Sequence, residues 1–156
     1  MTWLKSDEAQ LLTERVSTVE RRDDAVFISL TRTSTLSITT AGVIVTWQSE
    51  IDSGGNMTWS GSSITVPIAG YYAIQVIGAL DTGNNVTGDI VVGGVTVATM
   101  TAGTARDHKF SHNIVRFFKE GDVVQYRATT NGSTRTLQVT TEDSDSESPL
   151  LHMVLL

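Results

Sequence analysis

The stretch Ile64–Leu80, ITVPIAGYYAIQVIGAL, constrains the chain more than any other. Two β-prone runs flank a Pro-Ile-Ala-Gly break. Along YYAIQVIGAL, side chains of a strand alternate between faces. Tyr72, Ile74, Val76 and Leu80 fall on one face, and Tyr71, Ala73, Gln75, Ile77 and Ala79 on the other. A half-wet strand keeps one face polar; here both are apolar. The closing run LLHMVLL, Leu150–Leu156, repeats the pattern. Leu151, Met153 and Leu155 alternate with Leu150, His152, Val154 and Leu156. Two such strands imply a sheet that is covered on both sides.

The rest of the chain reads as short strands between turns. AVFISL (25–30), VIVTWQSEI (43–51), KFSHNIVRFF (109–118), DVVQYRAT (122–129) and TRTLQVTTE (134–142) are predicted strands, and TWSGSSITVP (58–67) holds one strand or two short ones. STLSITTAG (34–42) is either a strand or an extended loop. GDIVVGGVTVATM (88–100) is a predicted hairpin, because Gly93-Gly94 suits the positive φ of a primed turn. Strands at this spacing predict an all-β sandwich or barrel over residues 25–156. Residues 1–24 differ. Ser6 is a candidate N-cap, Asp7 and Glu8 suit a helix start, and Arg21 and Arg22 suit its end. Leu12, Val16 and Val19 form a narrow helical stripe, which fits a stem, a docking segment or packing on the chain's own β domain. Trp3 and Leu4 precede it, and an exposed Trp there suits docking into a partner's pocket.

The β region resembles the complement C1q and tumour-necrosis-factor superfamily of jelly-roll domains. Pro67, Gly70 and Tyr72 match the family's Pro-x-x-Gly-x-Tyr-x-Phe segment, with Ile74 where an aromatic is usual. In IVRFFKEGDVVQYRA, Gly121, Asp122 and Val124 match a second segment, and LLHMVLL matches the closing strand. The resemblance implies a C1q/TNF-like jelly-roll sandwich, preceded here by a short N-terminal helix. It also implies a homotrimer that packs three inner sheets about a threefold axis, which answers the two-faced strands. The expected trimer interface is Tyr71, Ala73, Gln75, Ile77, Gln125, His152 and Val154, with Gln75 and Gln125 on neighbouring inner-sheet strands as a polar layer. The alternative is a monomer whose N-terminal helix covers the second face.

No catalytic constellation, cofactor motif or metal site emerges, so a non-enzymatic role is expected. His108 and His112 read as polar surface residues, because a pair four apart binds metal well only on a helix. Glu142, Asp143, Asp145 and Glu147 read as solvated charge rather than a calcium loop. Asp52, Asn56, Asp81 and Asn84 are loop residues with the chance of gathering at one end of a sandwich. Trp47 and Trp59 are a candidate sugar platform, against the commoner use in packing. A net charge of −6 argues against nucleic acid and anionic membrane as partners.

With no cysteine, no collagen stalk, no signal segment and no transmembrane run, the chain looks like a bacteriophage virion protein. The expectation is capsid decoration or a head fibre, assembled in the host cytoplasm, with weak adhesion to cell-surface glycans. Attachment to a capsid or tail protein would then use Trp3, Leu4, Leu12, Val16 and Val19. The alternatives are a tail-associated receptor-binding fibre head and a cell-encoded ligand of the same superfamily.

Overall fold

A computed structural model of the chain describes residues 25–82, 85–101, 108–139 and 148–156. The predicted N-terminal helix with Trp3, Leu4, Leu12, Val16 and Val19 lies outside the described residues, as do Asn84 and the acidic run 142–147.

The described residues form strands only: β1 (Phe27–Thr31), β2 (Leu36–Ile38), β3 (Val43–Ile44), β4 (Ser49–Gly54), β5 (Thr58–Ser60), β6 (Ser63–Thr65), β7 (Gly70–Ala79), β8 (Val86–Val92), β9 (Val95–Thr101), β10 (Lys109–Phe118), β11 (Val123–Thr130), β12 (Arg135–Leu137) and β13 (Leu150–Leu155). A five-stranded sheet runs β10-β7-β13-β1-β4. A second sheet runs β5-β6-β11-β8-β9, with β3 also paired to β11, and β12 pairs with β2. All these pairings are antiparallel.

Local chemistry sets the turns. Gly93 and Gly94 have φ of 58° and 81° and close the predicted β8–β9 hairpin, where side chains with a Cβ would be strained. At the β10–β11 turn, Gly121 has φ 82°. The Asp122 carboxylate there accepts from the Lys119 amide at 2.8 Å, tying the turn across its own chain.

The core lies between the two large sheets. Ile28, Leu30, Tyr72, Ile74, Val76 and Met153 come from one, and Ile64, Ile90, Val124 and Tyr126 from the other. These are the alternate positions the pleat requires, so the inward set read for β7 and β13 holds.

Two readings change. The predicted strand 43–51 divides into β3, in the second sheet, and β4, in the five-stranded sheet. Val45 and Trp47 stay buried as the chain crosses between the sheets, so the alternating pattern survives the switch. Arg32, 4% exposed, holds the crossing. Its guanidinium donates to the Thr46 carbonyl and, at 2.6 Å, to the Thr46 hydroxyl. It also donates to the Ser34 and Thr35 carbonyls at 3.1 and 3.3 Å. Burial lowers its proton affinity, and this cage of neutral oxygens keeps its donors satisfied.

The second change concerns Gln125. It lies on β11, in the other sheet from Gln75 on β7, so the two cannot form one layer. The Gln125 amide instead donates to the Ser62 and Ser63 hydroxyls at 3.1 Å each. Which sheet a strand joins is a nonlocal property that its own alternation does not encode.

Candidate functional site

The outward face of the five-stranded sheet carries the residues that made β7 and β13 two-faced. Strand register places them in rows. Val115, Ala73, Val154 and Phe27 form one row, and Phe117 stands opposite Tyr71 in the next. The amide of Leu156 donates to the Tyr71 carbonyl at 2.9 Å, which extends this end of the face. Tyr71 is 61% exposed, Val115 58%, Phe117 48% and Leu156 72%. The rings of Tyr71 and Phe117 meet edge to face with centroids 5.4 Å apart. Such a concentration of exposed apolar side chains on one sheet face marks an interaction surface.

Next to this apolar end lies a polar row. Asn113, Gln75, His152, Ser29 and Asp52 stand in register across all five strands. His152 shares a 2.7 Å hydrogen bond between its Nδ1 and the Ser29 hydroxyl, and its ring lies 6.5 Å from that of Phe27. Between the apolar end and the polar row runs a groove of about 400 Å³, lined by Ala73, Gln75, Asn113, Val115, His152 and Val154. Six of the seven expected interface residues therefore share this face or its groove; Gln125 does not. Sequence reading missed Asn113 and Ser29 and took Asp52 for a loop residue, whereas it lies in β4; their place in the row follows only from strand order.

The opposite, inward face holds a second polar group, and it corrects the reading of His112 as a surface residue. His112 is 2% exposed. Its Nδ1 lies 2.7 Å from the Tyr126 hydroxyl and its Nε2 3.1 Å from the Val86 carbonyl. A carbonyl only accepts, so Nε2 carries the proton and Nδ1 accepts from Tyr126. This bond joins β10 to β11 and so joins the two sheets. Burial lowers the proton affinity of His112 despite the Val86 contact. Burial, with the charge of Asp89 nearby, pushes the Tyr126 phenol well above its ordinary range. Asp89 is itself buried, at 8% exposed. Burial alone would raise its carboxyl, but the Thr99 hydroxyl at 2.7 Å and Arg127 at 2.5 Å hold it below the ordinary value.

The other candidates separate. Trp47 is 3% exposed in the core, and the Trp59 indole donates to Glu50 at 2.7 Å, so the two do not form a sugar platform. Asn56 follows β4 near Phe27, whereas Asp81 follows β7 at the other end of the sheet, capping the Thr82 and Thr136 amides. Among the described residues no three His, Asp or Glu side chains gather as metal ligands.

No family model matches the chain, and no curated protein matches it in sequence. Solved structures do match in fold. Murine APRIL, in a crystal structure at pH 5.0, aligns with a TM-score of 0.60 at 17% identity, over 85% of this chain and 99% of that one. The globular domain of zebrafish complement 1qA aligns at 0.59 and 12% identity, over 84% and 97%. Eiger, a TNF from S. frugiperda, aligns at 0.56 and 12%, over 85% and 93%. The chain thus has the two-sheet jelly-roll fold that these tumour-necrosis-factor and complement domains share.

Proposed function

We propose that the chain is a non-enzymatic assembly and recognition module whose copies form a homotrimer through the outward face of the five-stranded sheet. The observation that carries this is the exposed cluster of Tyr71, Val115, Phe117 and Leu156 beside a polar row. Five strands at about 4.8 Å make the face about 24 Å wide. One helix, about 10 Å across, covers less than half of that width. With strands of five to ten residues, the face spans on the order of 600 Å². That is the scale of one side of a standard protein interface, about 800 Å². A second copy therefore fits the face better than the chain's own N-terminal segment, and the family that the sequence resembles packs such faces about a threefold axis.

The setting of the module rests on sequence alone. Residues 1–24, with the stripe Leu12, Val16 and Val19, suit tethering to a capsid or tail protein, which supports a virion decoration displayed toward cell surfaces. The second reading is a cell-encoded ligand, and the shared fold supports it equally. Light scattering on the full chain at micromolar concentration tests the trimer. Three times the 16.8 kDa chain mass is expected, and a folded monomer overturns the reading. Immunolabelling of intact virus particles separates the two settings.

A further inference from the structure

The two histidines of the five-stranded sheet face opposite ways. His112, level with Val76, is sealed in the sandwich, and His152, level with Gln75, sits on the outward face. We infer that His152 makes the assembly acid-sensitive: its protonation loosens the trimer seam while each sandwich stays folded. The inference rests on the trimer reading above.

His152 stands in the middle strand of the five, at the centre of the polar row and on the wall of the groove. A second copy laid on this face removes the ring from water. Burying a charged imidazole then costs free energy unless an anion lies close. The neighbouring strands offer little compensation. On β1 the flanking side chains are Phe27, Ser29 and Thr31, and on β7 they are Ala73, Gln75 and Ile77. Among the described residues the titratable groups on the face are Asp52 on edge strand β4, Lys109 at one end of β10, Tyr71 at the other end of β7 and the carboxylate of Leu156 beside Tyr71. Asp52 is two strand spacings from His152, about 10 Å, and its carboxylate already accepts from the Ser53 amide at 2.9 Å. A second copy brings the same groups on its own face. The Ser29 hydroxyl serves either protonation state, since it can donate to or accept from Nδ1. Within its own copy the charged ring therefore gains nothing from the flanking side chains to offset its desolvation. Of all side chains, imidazole is the one generally used as a switch near neutral pH, so the comparison of pH 7.5 with pH 5.5 probes this ring.

The test is sedimentation velocity on the full chain and on His152→Gln over a concentration series at pH 7.5 and 5.5, with near-UV circular dichroism at each pH. The wild type is expected to be trimeric at pH 7.5. At pH 5.5 its dissociation constant should rise by about tenfold or more, a loss of at least about 1.4 kcal/mol of association free energy, with the near-UV signal retained. His152→Gln should remain trimeric at both. A wild-type trimer equally stable at both pH values overturns the inference and leaves the trimer standing. So does a variant that dissociates in acid as the wild type does, or dissociation that comes only with loss of the near-UV signal. A wild-type monomer at pH 7.5 overturns the trimer itself.

Discussion

Replacing Tyr126 by Phe removes one oxygen from the centre of the sandwich. Tyr126 and His112 are each 2% exposed, and their bond is 2.7 Å long. Because His112 Nε2 is committed to the Val86 carbonyl, the loss leaves the Nδ1 lone pair buried without a donor. An unmet buried acceptor costs about 1–3 kcal/mol. The Phe ring fills the same space apart from the hydroxyl, so the cavity contribution is small. With about 2 kcal/mol lost, and a Tm response of about 2–4 °C per kcal/mol for a chain of this size, Tm should fall by about 4–8 °C. Thermal melts followed by circular dichroism at pH 7.5 measure it. The cycle with His112→Leu sharpens the test. If the bond carries the effect, the double variant should be more stable than the two single losses predict, by about 1 kcal/mol. A Tyr126→Phe Tm within about 1 °C of wild type, or strictly additive losses, would refute the assignment.

Two further outcomes follow from the same interior. His112 has its proton affinity lowered by burial, so the unfolded chain binds that proton more tightly. Its contribution to stability is complete above the ordinary histidine value of about 6.5 and is lost as pH falls from there toward the lowered folded value, at up to about 1.4 kcal/mol per pH unit. Tm measured from pH 7.5 to 5 should drop in that window for the wild type and drop less for His112→Leu. Gly88→Ala should destabilise, although alanine suits a strand better than glycine by about 0.5–1 kcal/mol. The added Cβ would lie within contact distance of His112 Nδ1 and 2.6 Å from Tyr126 Cε2, both held rigidly. Overpacking of this kind costs about 1–3 kcal/mol, and a variant with unchanged or raised Tm in a thermal melt would contradict the packing described here.

What the sequence made legible was whatever period-2 alternation can carry. Strand β10 was predicted at 109–118 and occupies Lys109–Phe118, and both faces of β7 and β13 were read correctly. The same alternation carries a signal for His112, which shares its parity with Phe110 and Phe118, both buried. Sheet membership was not legible. Gln125 alternates as an inner-sheet residue would, but hydrogen bonding to β8 and β6 puts its strand in the other sheet. The polar row was hidden for the same reason. Ser29, Asp52, Gln75, Asn113 and His152 come from five separate strands, and only the ladder makes them neighbours.

The pairing of the first and last described strands gives the five-stranded sheet two distinct rims. Phe27 stands beside Val154, so residue 25 and the carboxyl-terminal Leu156 leave the sheet from the same rim. Thr31 stands beside Leu150, Leu150 beside Ile77, and Lys109 beside Ala79. The last residues of β1 and β7 and the first residues of β10 and β13 therefore lie at the far rim. Whatever grips the sheet at the rim of Phe27 and Val154 has those four strand ends pointing away from it. A label fused after Leu156 therefore projects from the rear rim, and substitutions at the front rim can vary without disturbing it.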